Sequence, residues 1–374
     1  MEVIACLIII LLVLYIQNYI FIRYSLQDLE YNCQFSVEEA NEGDEIMLIE
    51  TLFNNKRLPL PWLKVEIFTS KWLEFANSNS VVANETRFVT SGFFLWGFQR
   101  TTRHWKVKCL KRGYYTIDNV AFVSGDVFGK YTSSCVKVNS KLIVYPSVLS
   151  QENTENLQNL ILGDTVVRRW INDDPFLTSG IREYYPGDAL NKIDWKATSK
   201  MGEIFVKKND YTSKSDINVL LNMQTTEFEN TYVAFSEMAE HGIRLAATIV
   251  KNSYEAGNPV RFCTNGKVAD VEEEYIFTRI NSGRGHILDI FEIMAKLELK
   301  TSIYFEELVK EVAHTLVNSD VVIITAYLNE QINKMLYSLH SNNNNIRILA
   351  TNLDIDYSNL PKDVEIYFSL GDDK

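Results

Sequence analysis

The sequence predicts a multidomain protein with an N-terminal transmembrane helix, then an all-β sandwich, then an α/β doubly wound domain. Three observations predict it. Residues 3–22 are almost continuously apolar, residues 33–145 hold short strand-like segments separated by turns, and buried strands alternate with amphipathic helices near the carboxyl end. The 374 residues suffice for two or three domains. We expect an anchor at 1–23, a sandwich at 24–148, a connector at 149–214 and the α/β domain at 215–374.

The apolar run from Val3 to Ile22 reaches the roughly 20 residues that a helix needs to cross the hydrocarbon layer. Tyr15 and Tyr19 lie toward one end of it, where an interfacial aromatic belt would place them. A cleaved signal peptide fits less well, because no cation precedes the run and no A-x-A site follows it. The run therefore predicts a single-pass anchor in the cell membrane. Arg23, directly after it, favours a cytoplasmic location for the soluble part.

The β-rich region predicts a sandwich of immunoglobulin-like architecture, because its strands are short, β-branched or aromatic, and often alternating. Its apolar segment Phe93–Phe98 is interpreted as a buried strand, with a contact surface as the alternative. The tryptophans of the region are expected to serve core or interdomain packing. The strand-like segments are Ile46–Phe53, Trp62–Phe68, His104–Leu110, Tyr114–Ile117 and Lys141–Tyr145, and the tryptophans are Trp62, Trp72, Trp96 and Trp105.

The α/β region is predicted from a change of period. Apolar residues recur at steps of three and four between 235 and 249, between 287 and 297 and between 308 and 316, which is typical of one helix face. A further helix is expected over 329–339. Short apolar runs predict the strands Asp216–Leu221, Val260–Cys263, Asp320–Ala326, Ile346–Ala350 and Glu365–Phe368. Such alternation predicts a doubly wound parallel sheet, whose ligand crevice lies at the carboxyl ends of the strands.

The loop after the first of these strands is the candidate crevice. In a von Willebrand factor A-type domain this position carries D-x-S-x-S, whose oxygens hold Mg²⁺. The matching positions here are Asn222, Gln224 and Thr226, and the strand ending at Thr325 brings no aspartate. Neutral amides and hydroxyls bind Mg²⁺ weakly, because removing its water requires charge. We therefore predict a von Willebrand factor A-like domain without a working metal site, and no cofactor.

Charge and cysteine usage exclude other classes. A formal net charge of −11 disfavours nucleic-acid binding, which needs a basic face. The five cysteines form no C-x-x-C pair, so a disulfide framework or a zinc site is not expected and a reducing compartment fits better.

The segment 182–208 combines a turn, two aspartates, a tryptophan and several lysines. Pro186, Gly187 and Asp188 predict a turn, and Asp194 is expected to cap backbone amides while Trp195 fills a pocket. One interpretation, which we favour, is a clasp in which Arg182, Asp188 and Asp194 form an ion-pair network between domains. The other is a docking surface with Tyr184 and Trp195 as anchors and lysines at the rim. Catalysis by the two aspartates is a third, weaker alternative.

These residues also carry a resemblance. The segment 180–200 is similar to the signature G-x-R-x-Y-x-x-G-D-x-x-x-x-I-D-W-x-A of the bacterial domain-of-unknown-function-58 family. Residues 111–120, 124–129 and 142–148 resemble its R-G-x-Y, D-P-F-G and L-x-V-Y-P elements, with Val127 where proline is usual. The candidate motif residues are Arg182, Tyr184, Pro186, Gly187, Asp188, Ile193, Asp194, Trp195 and Lys196.

The resemblance implies that this chain is a membrane-anchored partner of a MoxR-type AAA+ ATPase, contacts other membrane proteins and has no established enzymatic activity. Many members of the family carry two N-terminal membrane helices, whereas this chain shows one. We accordingly expect a non-enzymatic adaptor or scaffold in envelope-protein assembly or maturation. The alternatives are a metal-dependent von Willebrand factor A module and, less favoured, a hydrolase that uses the paired aspartates.

Overall fold

The structure is a computed structural model that describes residues 2–76, 78–125, 131–149, 178–185, 193–209, 216–229, 231–357 and 359–370. The chain divides into two compact units. The first comprises Met1–Val148, Gly266–Glu274 and Leu288–Lys300, and the second comprises Leu149–Asn265, Tyr275–Ile287 and Thr301–Lys374. The sequence placed everything after 215 in one domain, so the two later segments of the first unit were not anticipated.

The first unit begins with helix α1 (Glu2–Tyr24). Among the described residues, it contains the one stretch, Leu7–Tyr24, that is long and apolar enough to cross a membrane. Most apolar side chains in this stretch are exposed, whereas Phe21 and the following Leu26 pack against the core of the sandwich. The end of α1 is thus connected to the sandwich by side-chain packing as well as by the polypeptide backbone.

Two sheets form the sandwich. The first has the strand order β1-β3-β8-β5 and the second the order β2-β10-β9-β4-β7-β6, and all pairings are antiparallel except that of β2 with β10. The strands are β1 (Leu29–Phe35), β2 (Glu39–Asn41), β3 (Glu45–Asn54), β4 (Leu60–Ser70), β5 (Leu73–Phe75), β6 (Asn79–Ala83), β7 (Thr86–Leu95), β8 (Arg100–Cys109), β9 (Gly113–Gly125) and β10 (Tyr131–Tyr145).

The core of the sandwich follows from alternation along the strands. Every second residue of β3 is buried, and the same period runs along β4 and β8. Leu48 and Val107 from one sheet and Ile67 and Phe122 from the other belong to one apolar cluster. The predicted β-sandwich is therefore confirmed.

The aromatic residues of the sandwich differ from the prediction. Phe93 and Leu95 are buried, but Phe94, Trp96 and Phe98 are exposed. The run therefore alternates between core and surface instead of forming a wholly buried strand.

Among the tryptophans of the sandwich, Trp105 lies in the core as predicted, while Trp62 and Trp96 are exposed. Core packing was thus the wrong role for these two side chains.

The second unit contains a six-stranded sheet with the order β16-β14-β13-β18-β19-β20. All neighbouring strands are parallel except the short edge strand β16, which is antiparallel to β14. The strands are β13 (Ile217–Leu221), β14 (Val260–Thr264), β16 (Ile276–Phe277), β18 (Asp320–Thr325), β19 (Asn345–Ala350) and β20 (Glu365–Phe368). The predicted doubly wound α/β arrangement is confirmed, because the strand order reverses beside β13.

The remaining elements complete the chain. β11 (Thr178–Glu183) pairs with β12 (Phe205–Asn209), and β15 (Gly266–Val268) with β17 (Leu297–Thr301). The later helices are α2 (Trp195–Met201), α3 (Ser236–Glu255), α4 (Arg284–Lys296), α5 (Phe305–Val312) and α6 (Glu330–Ser341). α3, α4 and α5 overlap the three regions in which the three-and-four period predicted helices, and α6 covers the further helix expected over 329–339.

Candidate functional site

The candidate crevice lies at the carboxyl ends of β13 and β18. The chain leaves β13 for β14 on one side, and β18 occupies its other side, so this pair is the topological switch point. Asn222 follows β13, Asn265 follows β14 and Thr325 ends β18. The side chains that meet here, Asn222, Gln224, Thr225, Glu229, Asn265 and Thr325, are all buried, and we call them the switch-point cluster.

Asn265 connects three segments from a fully buried position. Its Oδ1 accepts a hydrogen bond from the Met223 N–H at 2.8 Å. Its Nδ2 lies 3.3 Å from Asn222 Oδ1, 3.3 Å from Gln224 Oε1 and 3.2 Å from the Ile303 carbonyl oxygen. Because three acceptors surround this nitrogen, the position requires an amide donor and disfavours a carboxylate.

Asn222 and Gln224, two of the predicted degenerate metal positions, bond within the cluster. Asn222 Nδ2 donates to Thr325 Oγ1 at 3.1 Å, and Asn222 Oδ1 accepts the Gln224 N–H at 3.0 Å. Gln224 Nε2 donates to the Glu229 carbonyl at 2.6 Å, and Gln224 Oε1 accepts the Phe305 N–H at 2.8 Å. Both side-chain oxygens are therefore engaged by protein donors.

Glu229 supplies a carboxylate that the sequence did not single out. Its Oε2 accepts the Thr225 N–H at 2.8 Å, and its Oε1 accepts the hydroxyls of Thr225 and Thr226 at 2.6 and 3.1 Å and the Ala234 N–H at 3.0 Å. Four hydrogen-bond donors thus surround the buried carboxyl group of Glu229. Thr226, the third predicted position, acts here as a donor to Glu229. The one available signal was a glutamate seven residues after Asn222, which alone is weak.

The geometry of the cluster fits a hydrogen-bonded closure better than an open ligand site. Mg²⁺ demands near-octahedral oxygen ligands, and the side-chain oxygens of Asn222, Gln224 and Glu229 already accept protein hydrogen bonds. Within the part of the chain that the structure describes, no group of three His, Cys, Asp or Glu side chains could hold a metal. Burial, with Glu306 adding to it, raises the pKa of the nearby Tyr327 phenol, so that group stays neutral.

The signature segment forms a small structure of its own. Asp194 caps α2, with its Oδ1 accepting the N–H groups of Lys196 and Ala197 at 3.0 Å each, as predicted. Ile193 is buried and forms a bridge with Val206 of β12. Pro186, Gly187 and Asp188 lie outside the described residues, so neither the turn nor the three-residue ion-pair network can be placed.

Trp195 differs from the sequence prediction, because its side chain is 70% exposed instead of filling a pocket. Lys196 is also exposed, while Tyr184 is half-buried. The Arg182 guanidinium donates to the Glu183 carbonyl and lies 5.9 Å from the centre of the Tyr185 ring. The first residue of α2 therefore presents a large aromatic surface to its surroundings.

A second buried polar group lies in the sandwich. Glu50 of β3 is fully buried and accepts hydrogen bonds from Trp105 Nε1 at 3.0 Å, the Tyr31 hydroxyl at 3.2 Å and the Ser91 hydroxyl at 3.3 Å. Burial raises the pKa of the Glu50 carboxyl, and the hydrogen bonds from Trp105 and Tyr31 offset part of that effect. A glutamate at an inward position of an alternating strand was the signal in the sequence.

Arg112 is a buried cation within the first unit. Its Nη1 donates to the carbonyl oxygens of Met294 at 2.8 Å and Leu297 at 2.9 Å. These carbonyls lie at the C-terminal end of α4 and just beyond it, where the helix dipole favours a positive charge. Arg112 belongs to the R-G-x-Y element of the sequence, so that element has a structural role here.

The chain matches one protein family and is similar in part to a protein of Bacillus subtilis. A family model described as "Protein of unknown function DUF58" matches residues 180–368. The uncharacterized protein YeaD of Bacillus subtilis (strain 168) is 21% identical over 238 residues, which cover 63% of this chain and 56% of that protein. The chain thus spans little more than half of this relative.

Among solved structures, a non-cellulosomal cohesin from Archaeoglobus fulgidus is 16% identical, covers 34% of this chain and 97% of its own, and has a TM-score of 0.22. The sporulation control protein Spo0M from Bacillus subtilis is 12% identical, covers 36% of this chain and 56% of its own, and has a TM-score of 0.21.

Proposed function

The chain belongs to the DUF58 family, and from that premise we propose that it is a non-enzymatic, membrane-anchored scaffold that works with a MoxR-type AAA+ ATPase in envelope-protein assembly or maturation. The observation that carries the proposal is the switch-point cluster. It fills the usual ligand position of a doubly wound sheet with side chains that bond to one another. A domain whose ligand position is closed in this way is suited to present its outer surface to other proteins.

We assign the α/β unit to the von Willebrand factor A-like class. Two features support this assignment. The sheet is doubly wound with β13 beside the switch point, and the loop after β13 carries oxygen-bearing side chains at Asn222, Gln224 and Thr226. In this chain those oxygens take part in a structural network in place of coordinating a metal.

We further propose that the soluble units lie in the cytoplasm and that α1 holds them at the cell membrane as a single-pass anchor. The length and apolar composition of Leu7–Tyr24 support spanning. Arg23 at the end of the helix supports a cytoplasmic carboxyl side, because cations are enriched there.

We propose the exposed start of α2 as the docking face for the ATPase. Trp195 is exposed at the start of α2, and the same helix carries the exposed cations Lys196 and Lys200. An aromatic anchor with a charged rim is typical of interface hot spots, and lysines favour an acidic partner surface.

Affinity capture with the detergent-solubilised full chain tests the docking face. A purified MoxR-type ATPase is passed over the immobilised chain with ATP analogue or with ADP. We expect retention that Trp195→Ala weakens at least tenfold, while the control Phe228→Ala, at another exposed aromatic position of the same unit, binds as the wild type does. Failure to retain the ATPase with either nucleotide would contradict the partnership.

A metal-dependent module is the second candidate, favoured by one observation, the carboxylate of Glu229 in the switch-point cluster. Titration calorimetry with Mg²⁺ and Mn²⁺ separates the two. Heat of binding that is lost in Glu229→Gln and strengthened in Asn222→Asp would support the metal site. The hydrolase alternative gains nothing from Asp194, whose Oδ1 accepts two backbone amides.

A further inference from the structure

We propose that the end of the sandwich next to α1 rests on the lipid bilayer and inserts a group of aromatic side chains into its interfacial layer. We call this group, Trp62, Phe94, Trp96, Phe98 and Tyr131, the aromatic end. The inference rests on the membrane anchoring proposed above and extends it. It identifies a second contact with the bilayer, made by the folded sandwich itself.

Strand register places the aromatic end beside α1. In one sheet, Leu29 at the start of β1 pairs with Asn54 at the end of β3, and Phe53 pairs with Arg100 at the start of β8. The turns 55–59 and 96–99 therefore lie at the end of the sandwich that α1 enters.

The strand register of the second sheet places the remaining residues at the same end of the sandwich. Leu60 at the start of β4 pairs with Leu95 at the end of β7, and Tyr131 at the start of β10 pairs with Gly125 at the end of β9. All five residues of the aromatic end lie at or near these strand ends.

Contacts hold this end of the sandwich against the last turns of α1. Phe21 of the helix and Leu26 directly after it pack on the sandwich core. The Asn55 N–H donates to the Asp28 carbonyl at 2.9 Å, and Lys56 Nζ donates to the Gln27 carbonyl. If α1 spans a bilayer, the turn at 55–59 cannot lie far from its surface.

The exposed side chains at this end have the chemistry of an interfacial belt. Trp96 is 62% and Phe98 58% exposed, and the ring of Phe94 lies edge-on to that of Trp96 at 5.1 Å. The rings of Trp62 and Tyr131 are 5.7 Å apart. Exposed apolar groups of this size mark an interaction surface, and tryptophan and tyrosine are enriched where membrane meets water.

The backbone is arranged to keep these rings outward. Phe98 has φ of +56°, a conformation that bulky residues rarely adopt. Its N–H donates to the Lys56 carbonyl at 3.1 Å. At Gly97 a Cβ atom would lie 2.7 Å from the Arg57 carbonyl oxygen, so only glycine lets the two turns approach. The fold thus maintains a strained turn that displays two aromatic residues.

The described charges at this end have both signs. Arg23, Arg57 and Arg100 are exposed and Lys56 is half-buried, while Asp28 and Glu30 are exposed. The excess of positive charge is small, and the Lys56 ammonium already donates to the Gln27 carbonyl, so insertion of the aromatic rings is the main attraction. A bilayer of zwitterionic phosphatidylcholine should therefore be sufficient.

The test uses the full chain in phosphatidylcholine nanodiscs and tryptophan quenching by lipids brominated near the carbonyl end or near the methyl end of the acyl chain. Co-elution of chain and disc first reports whether α1 anchors the protein. In anchored wild type we expect quenching that is stronger with bromine near the carbonyl end. Trp96→Phe should remove the larger part of it and Trp62→Phe with Trp96→Phe nearly all. The control Trp72→Phe, which follows the far end of β4 at the opposite end of the same sandwich, should leave it unchanged.

The outcomes separate the two proposals. A chain that does not co-elute with the disc overturns both the anchor and the inference. A chain that co-elutes but shows the same quenching with and without Trp96 overturns the inference alone. Protection of Trp96 from aqueous acrylamide without quenching by brominated lipid would assign the aromatic end to a protein contact and also overturn the inference.

Discussion

Replacing Asn265 by aspartate tests the switch-point cluster with almost no change of shape. The substitution turns the Nδ2 donor into an oxygen acceptor. That atom lies 3.2–3.3 Å from three other acceptors, Asn222 Oδ1, Gln224 Oε1 and the Ile303 carbonyl. The bond from the Met223 N–H to Oδ1 can persist, so the damage is confined to one side of the side chain.

The expected loss is about 3–5 kcal/mol of unfolding free energy. Each lost neutral hydrogen bond costs about 0.5–1.5 kcal/mol, and a buried charge that faces acceptors adds to that sum. The contacts at 3.3 Å are long, which argues for the lower part of the range. Since a domain is stabilised by only about 5–15 kcal/mol, the variant should remain folded but unfold at much lower urea concentration.

The measurement is urea unfolding of the detergent-solubilised chain, followed by circular dichroism. The control is Asn281→Asp, which makes the same chemical change at an exposed position. Asn281 Oδ1 accepts the N–H groups of Ser282 and Gly283, and a carboxylate can keep both bonds. We expect the control to lie within about 0.5 kcal/mol of the wild type.

The loss of unfolding free energy in Asn265→Asp should grow as the pH rises. Burial among acceptors raises the pKa of the introduced carboxyl in the folded state, so the folded state binds more protons than the unfolded state. The Asn265→Asp variant should therefore approach wild-type stability in acid and lose it as the pH rises through the folded-state pKa. Wild-type stability at neutral pH would refute the closure described for the cluster. Rescue by Mg²⁺ would instead favour the metal-dependent module.

Three further predictions concern other sites. Arg112→Lys should lower the free energy of unfolding in urea by about 2 kcal/mol, because an ammonium on a shorter side chain replaces a guanidinium that bonds the Met294 and Leu297 carbonyls. The exposed Arg57→Lys serves as the control. Equal free energies of unfolding for Arg112→Lys and the wild type would contradict the role of Arg112. The raised folded-state pKa of Glu50 means that wild-type stability falls as the pH rises through it, and thermal midpoints between about pH 4 and about pH 8 should show that Glu50→Gln removes this part of the dependence. Asp194→Ala should destabilise α2 by about 1 kcal/mol and speed hydrogen exchange at the Lys196 and Ala197 amides, whereas Asp194→Ser should keep most of the protection.

The helices and strands of the fold were predictable where the hydrophobic pattern continues over many residues. α3 extends over Ser236–Glu255, and its apolar stripe repeats often enough to exclude a strand. The continuous apolar run Val321–Ile324 predicted a central parallel strand for a different reason, because such a strand is buried on both faces. The run Phe93–Phe98 looked equally buried. A uniformly apolar strand does not reveal whether its second face is covered, because that depends on which elements pack against the sheet.

The candidate site was predictable in position but not in content. Strand order places Asn222 and Thr325 at the switch point, and both were singled out from the sequence. Glu229 and Asn265 reach the same place from loops, and no periodicity links a loop residue to its hydrogen-bond partner. For Trp195 the residue type was misleading. Its aromatic character suggested burial, but the side chain lies at the first position of a capped helix and is exposed.

The hydrogen bonds of Arg112 have a consequence for synthesis on the ribosome. Its partner Met294 lies 182 residues later in the chain. At about 5–20 residues per second, roughly 10–40 s pass between the emergence of the two residues. During that interval the Arg112 guanidinium must stay hydrated, and the first unit cannot reach its final state. Chaperones that bind the nascent chain during this interval should therefore act on the sandwich. Premature termination before Met294 should leave the sandwich incomplete, because residues that complete it are encoded far downstream.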